Sequence, residues 1–305
     1  MKEPVDGRMG ESANVPLERN SPHRRFAPSP ALYVVATPIG NLTDITLRAL
    51  ETLKKVDLIL CEDKRITSRL LNKYAIKTKI KSHHKYNEHK SAGEAISLLV
   101  SGKDIALVSD AGTPLISDPG KTLIAAAMDQ NIKVIPVPGP SALLAALSVC
   151  PFESENSEFL FIGFLPENKS KRKDTLCSLK NRSKNIVIYI APHDIKKYIA
   201  EINNIYPDSE IFIAREISKI YEELWKGKIP DLIWLLENKT FKGEIVVILH
   251  INKQAESLNM EHVLSHMKNH ITEGHSLKET SKTFAKEYNL SAKRLYDLYL
   301  DKYIK

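Results

Sequence analysis

Cysteine is scarce in this chain: residues 61, 150 and 177 are the only three in 305, and they form neither a CxxC pair nor an even set. This excludes a disulfide-stapled scaffold and predicts the reduced thiols of a cytoplasmic protein. His83, His84 and His89 lie close together, but without the ligand spacing a metal demands, so no metal centre is expected. They read instead as a solvated or RNA-facing loop. No apolar run approaches the length needed to cross a bilayer. The glycine fingerprint of dinucleotide folds, the P-loop, the HExxH zinc motif and the GxSxG elbow are all missing. Hydride transfer, P-loop phosphoryl transfer and nucleophile-elbow hydrolysis therefore lose their usual signatures. Neither sign of charge is absent, yet 44 Lys+Arg against 37 Asp+Glu leave +7, which favours a polyanionic partner.

What is present is an alternation of strand and helix. Residues 1–30 stand apart, rich in Pro, Ser, Arg, Asn and Glu and without apolar periodicity; they read as a disordered extension or a start placed too far upstream. From residue 31 to about 151 the strands Leu32–Thr37, Asp57–Cys61, Lys79–Ser82, Ile105–Val108 and Lys133–Val137 alternate with helices. Thr43 or Asp44 is expected to cap the first helix, and Ser91-Ala92-Gly93-Glu94 to open the third as a capping box. Such βαβ order predicts a parallel sheet, so the turn-rich loops beginning at Pro38, Glu62, His83, Ser109 and Pro138 share its carboxyl edge, where open α/β sheets bind ligands.

A second unit, 152–252, carries strands at Glu158–Ile162, Asn185–Ile190, Glu210–Ala214 and Ile245–Ile251, with a short one at Tyr221–Lys226 and a helix at Pro230–Glu237. Its run Glu167–Asp174 is polar and basic and precedes a helix; Lys169, Lys171, Arg172 and Lys173 either hold phosphates or form a solvated face. Residues 253–305 are charged and helical. A capping box at Ser276–Glu279 and a turn at Asn289-Leu290-Ser291 give two helices that read as a helix-turn-helix or as a packed helical bundle.

The densest turn is Ser109-Asp-Ala-Gly-Thr-Pro-Leu-Ile-Ser-Asp-Pro-Gly120. Its small residues and carboxylates, together with Gly139 and Ser141 at a helix start, suit a nucleoside-containing cofactor better than a covalent mechanism. This segment, Leu32-Tyr-Val-Val-Ala-Thr-Pro-Ile-Gly-Asn-Leu42 and Pro138-Gly-Pro-Ser-Ala142 closely resemble the bacterial 16S rRNA (cytidine-2′-O)-methyltransferases of the tetrapyrrole methylase superfamily. Glu62-Asp63-x-Arg65, Gly163–Pro166, Pro192-His193, Ala214-Arg-Glu216 and Lys242-Gly-Glu244 follow in the same order.

The resemblance implies an α/β fold of two αβα domains with S-adenosylmethionine (SAM) in the cleft between them, plus the small helical carboxyl-terminal segment, and a homodimer acting on 16S rRNA in the small subunit. It implies cofactor contacts from Pro38, Gly40, Ser109, Asp110, Ala111, Gly112, Thr113, Leu115, Ser141 and Ala142. Tyr189, Ala214 and Gly243 would add to these from the second domain. Asp118-Pro119-Gly120 is expected to cap the following helix. Asp63 and Arg65 are expected on the catalytic side, or else simply pair with each other; His193 is a further candidate base. Lys64, Ile190 and Asp194 depart from the family pattern. A methylase of another substrate in the superfamily, and a non-catalytic ribosome assembly factor of the same fold, are the competing readings.

Overall fold

In the computed structural model the described residues are 30–153, 157–179, 184–238, 241–251, 260–288 and 290–304. The amino-terminal extension (Pro30 apart), the transition near Lys253 and Asn289 lie outside them. The chain divides into two compact units, one of residues up to 38 with 42–140, the other of 39–41 with 141–305. Among the described residues no helix is long and apolar enough to cross a membrane.

The first unit is built on β1 (Ala31–Val35), β2 (Leu58–Cys61), β3 (Lys79–Ser82), β4 (Ile105–Val108) and β5 (Lys133–Val137). They form one sheet in the order β3-β2-β4-β1-β5, every pair parallel. Strands buried on both faces need apolar residues in both phases, which is why β1, β2 and β4 read as continuous runs. One face packs Tyr33, Val35, Ile59 and Val108 under α1 (Leu47–Lys55) and α2 (Lys64–Lys73). The other packs Leu32, Leu60, Ile105 and Leu107 under α3 (Glu88–Val100) and α4 (Lys121–Asp129). The loops after the neighbouring central strands β1 and β4 thus lead to opposite faces, the arrangement that opens a ligand crevice at the carboxyl edge.

Two helix starts here differ from expectation. Thr43 and Asp44 lie in a 3₁₀ turn, and Thr46 caps α1, its hydroxyl accepting from the Ala49 N–H at 3.1 Å. Helix α3 begins at Glu88, one turn before the proposed capping box. Asn87 makes the turn, accepting from the His84 N–H at 2.8 Å and donating to the Ser82 carbonyl at 3.1 Å. Ser91 is instead a buried helix residue bonded to His83 Nδ1 at 3.1 Å, and Glu94 pairs with Lys81. His83 is therefore no loop side chain: it is buried, and burial pushes its pKa down toward the neutral imidazole.

The second unit carries β6 (Leu160–Phe164), β7 (Asn185–Ile190), β8 (Glu210–Arg215), β9 (Glu223–Lys228) and β10 (Ile245–His250). Their order is β6-β7-β10-β8-β9, with only β6 and β7 parallel. Helix α5 (Ala142–Ser148) belongs to this unit, not to the first: Leu143 and Ala146 pack on Val187, Phe212, Ala214, Val246 and Ile248. The opposite face is covered by α6 (Lys169–Ser178), α7 (Ile195–Ile205) and α8 (Ile229–Asn238). Helix α7 lies outside the expected elements, although Ile195, Tyr198, Ile199 and Ile202 recur at helical spacing and are buried.

The basic run is itself helix α6, capped by Asn168, which accepts from the Lys171 N–H at 3.1 Å. Lys169, Lys171 and Lys173 are exposed, but Arg172 is wholly buried. It donates to Glu201 at 2.6 and 2.8 Å and to the Pro166 and Glu167 carbonyls, and lies 4.4 Å from the Tyr198 ring centroid. Arg172 is thus an interior ion-pair partner and cannot be a phosphate clamp. Glu201→Ala would leave a buried guanidinium without its countercharge. It is expected to cost about 3–5 kcal/mol, read as a lower urea midpoint; a loss under about 1 kcal/mol would show that the two carbonyls suffice.

The carboxyl-terminal helices α9 (Met260–Thr272), α10 (Leu277–Glu287) and α11 (Ala292–Tyr303) bury a core of their own around Val263, Met267, Phe284, Leu295 and Tyr299. The capping box at Ser276 forms as expected, with reciprocal contacts to Glu279. The bundle reading therefore describes the packing, with α10 and α11 as two arms of a three-helix cluster.

Candidate functional site

The loop from Ser109 to Gly120 leaves β4 at the centre of the carboxyl edge, and much of its backbone is already engaged. Thr37, just past β1, exchanges two backbone hydrogen bonds with Gly112, at 2.8 and 3.0 Å. The Thr37 hydroxyl donates to the Ser109 carbonyl at 3.0 Å, and the Ser109 hydroxyl to the Gly112 carbonyl at 3.1 Å. Ser109 and Gly112 are buried, while Ala111 is exposed. The Thr113 hydroxyl donates to the Pro140 carbonyl at 3.1 Å, tying this loop to the one after β5. Ser109 and Gly112 thus have a scaffolding role, which holds the half-buried Asp110 and the exposed Ala111 in place.

Further along, Leu115 and Ser117 adopt left-handed φ of 74° and 73°. For L-residues that costs roughly 1–2 kcal/mol each, strain that persists only where the surroundings impose it. The Leu115 side chain packs against the Leu107 and Leu123 layer, which leaves its backbone for the expected ligand contact. The segment Asp118–Gly120 does not cap α4 by itself. Gly120, at φ 126°, is the N-cap residue, and the Glu88 carboxylate of α3 accepts from the Gly120 and Thr122 N–H groups at 3.0 and 3.3 Å.

Asp63 and Arg65 meet each other. Asp63 caps α2, accepting from the Arg65 N–H at 2.8 Å, and pairs with the Arg65 guanidinium at 2.6 Å. That guanidinium holds the Asp63 carboxyl down at about 2, which makes it a poor proton acceptor. The pairing alternative describes both residues, and Asp63 is corrected as a base. Asp110 lies beside it, its Oδ1 accepting from the Asp63 N–H at 2.9 Å.

Three other carboxyls shift the opposite way. Burial, the Glu62 and Asp110 charges push Asp118 up to about 6. Burial raises Asp110, with Asp63 adding to it, and burial and the Asp110 charge raise Glu62. Glu62 was read only as part of a motif and Asp118 only as a cap; both needed the strand order β2-β4 to be recognised together. Glu62 and Asp110, whose charges act on Asp118, line an open cleft of about 500 Å³ with Lys64, His84, Lys85 and Tyr86. The arrangement offers hydrogen-bond acceptors, a carboxylate poised near neutrality, cationic rims and one aromatic ring.

The remaining predicted residues lie as follows. Pro38 is buried just after β1, beside the Thr37–Gly112 bridge. In the second unit a side chain on Gly40 would collide with the Lys219 stem, and one on Gly243, at φ 87°, with the Glu216 carboxyl. Glu216 accepts from Lys219 Nζ at 2.7 Å and from the Glu244 N–H at 2.8 Å. An ion-pair network therefore already explains both glycines. Ser141 is the N-cap residue of α5 without a side-chain cap bond, and Ala142 is half-buried behind it. Ala214 is buried under α5, and Tyr189 packs edge-on to Phe161 and Phe164. His193 is exposed, its Nε2 3.4 Å from Asp194, at the start of α7. Ile190 is a buried core residue.

Comparison with known proteins agrees with this fold. The family model described as Tetrapyrrole (Corrin/Porphyrin) Methylases matches residues 31–233. The chain is 47% identical over 218 residues to the ribosomal RNA small subunit methyltransferase I of Thermotoga maritima, covering 72% of this chain and 97% of that protein. It is 38% identical over 274 residues to the Bacillus subtilis protein of the same name, covering 88% and 93%. Among solved structures, the cobalt precorrin-4 methyltransferase of cobalamin biosynthesis superimposes with a TM-score of 0.55 at 16% identity, covering 72% of this chain and 94% of that one. The uroporphyrin-III C-methyl transferase of Thermus thermophilus complexed with S-adenyl homocysteine gives 0.52 at 15%, covering 72% and 96%. The family match, the long alignments with these relatives and the paired α/β sheets together establish that the chain belongs to the tetrapyrrole (corrin/porphyrin) methylase family.

Proposed function

We propose that this protein is a SAM-dependent methyltransferase that modifies small-subunit ribosomal RNA in the cytoplasm, on the ribose 2′-hydroxyl of a cytidine in the decoding region. The observation that carries the reading is the alignment with proteins named ribosomal RNA small subunit methyltransferase I, which spans 88% of this chain and 93% of the relative in the Bacillus case. Net charge of +7 suits a nucleic-acid substrate. The exposed Lys169, Lys171 and Lys173, together with the carboxyl-terminal helices, supply cationic surface for phosphates. A homodimer and recognition of the nucleotide within the small subunit belong to the same proposal.

The residues present fit SAM. Asp110 offers an acceptor for ribose hydroxyls, the exposed Ala111 allows close approach, and the Ser141 hydroxyl is not spent on capping. SAM supplies an electrophilic methyl group, so the protein must align the hydroxyl and receive its proton. Asp118, in the loop after β4 beside the Glu62 and Asp110 charges and pushed up to about 6 by burial and by them, is a candidate acceptor, whereas Asp63 is held by Arg65. Arg65, engaged by Asp63, holds the start of α2; His193, exposed in the second unit, is the alternative base.

Mapping 2′-O-methylation in ribosomal RNA from cells lacking this protein tests the function. The expected result is loss of one methylated cytidine in the small subunit, restored by the wild-type chain. An unchanged methylation map would refute it, and failure of the pure protein to bind SAM would favour the assembly-factor reading.

A further inference from the structure

We propose that the cleft at the ends of β2 and β3 receives the base of the target nucleotide, with Glu62 accepting from an exocyclic amino group, Tyr86 stacking on the ring and Lys64 and Lys85 holding flanking phosphates. The inference rests on the proposed RNA methylation and adds to it the residues that select the base. Its ground is the lining of the cleft. Tyr86 is 95% exposed at the rim, touched edge-on by His84 with ring centroids 6.0 Å apart, so its outer face is open. Lys64 and Lys85 are exposed, and neither is ion-paired among the described residues. His84 Nδ1 is shielded from solvent and has no hydrogen-bond partner among the described residues. Glu62 is half-buried between these groups and the Asp110 charge.

This set matches a single-stranded nucleotide part by part. An open aromatic face takes a base of any identity, and lysines at the rim take phosphates without reading sequence. Selection falls to the carboxylate. Glutamate accepts from the N4 amino group of cytosine, while the O4 acceptor of uracil would face it lone pair to lone pair. Burial, with crowding by Asp110 and Asp63, raises Glu62, so an incoming N–H donor relieves a carboxylate that has no ion-pair partner among the described residues. Asp63 cannot serve in its place, being held by Arg65.

The test uses the full-length protein and small subunits reconstituted from unmodified transcript, with cytidine or uridine at the mapped target. Glu62→Ala is expected to lower kcat/KM on cytidine subunits at least about tenfold and to erase most of the cytidine-over-uridine preference. Glu62→Gln, whose amide can face either base, restores cytidine turnover but admits uridine. Tyr86→Ala raises KM about tenfold with kcat little changed, and Tyr86→Phe restores it. SAM affinity stays at the wild-type value and the thermal midpoint does not fall in any of the four. Retention of the full preference in Glu62→Ala, or wild-type KM in Tyr86→Ala, overturns the base-site assignment while leaving the methyltransferase intact. Parallel loss of SAM binding or stability would show a structural role and overturn it equally. A wild-type chain that methylates neither substrate defeats the proposed function, and this assignment with it.

Discussion

Asp118→Asn is expected to lower kcat by about two to four orders of magnitude, the range typical of a lost general base, with SAM affinity unchanged. The group must be ionised to accept a proton. Wild-type kcat therefore falls as pH drops through about 6, and the residual activity of Asp118→Asn lacks that limb. Stability should move the other way. A carboxyl whose pKa is raised in the folded protein favours folding while protonated, and that contribution is lost as pH rises from the unfolded value of 3.8 through about 6. At pH 7 the charged Asp118 therefore opposes folding, and the neutral amide should raise stability by on the order of 2 kcal/mol. Lower turnover with a higher thermal midpoint is the joint signature. A variant of wild-type kcat would return the proton to His193.

The second large effect is on cofactor affinity. Asp110→Ala should weaken SAM binding at least about a hundredfold, near 3 kcal/mol, measured by calorimetry on the pure protein. The carboxylate is held at the end of β4, with Oδ1 on the Asp63 N–H, which leaves Oδ2 to meet a ligand hydroxyl. Removing it deletes an acceptor and strips a hydrogen bond from the start of α2, so Asp110→Asn is the needed companion. The amide oxygen keeps the Asp63 contact but not the charge, and an intermediate loss of about tenfold is expected. Wild-type affinity in Asp110→Ala would place the cofactor elsewhere.

Local pattern made the frame of the fold legible. Lys79–Ser82, Ile105–Val108, Lys133–Val137 and Asn185–Ile190 were read to the residue, because short runs between turn residues have few alternative pairings. The shared carboxyl edge of the first unit followed from topology alone, and its all-parallel sheet is what the structure has. What escaped depends on contacts distant in sequence. Arg172 sits in a run that looks solvated, and only Glu201, 29 residues on, draws it inside. Ser91–Glu94 has the letters of a capping box, but Asn87 turns the chain earlier. Helix α7 is the exception: its apolar face Ile195, Tyr198, Ile199 and Ile202 is regular, with Lys196, Lys197 and Asn204 on the exposed side, and is legible in the sequence. At the site, Asp63 stands out in the sequence as a catalytic candidate and Asp118 only as a helix cap. Arg65 on the one, burial and the neighbouring carboxyls on the other, separate them by about four decades in acidity.

The contact of Glu88 with the Gly120 and Thr122 amides has a mechanical consequence. It fastens the first turn of α3, which follows directly on Lys85 and Tyr86, to the last residues of the strained loop that carries Asp118. Neither segment can change length alone, since an insertion on either side would withdraw the carboxylate and leave two amide groups unsatisfied. Load applied by a bulky guest at the tyrosine rim is thereby transmitted, through one side chain, to the residue expected to take the proton.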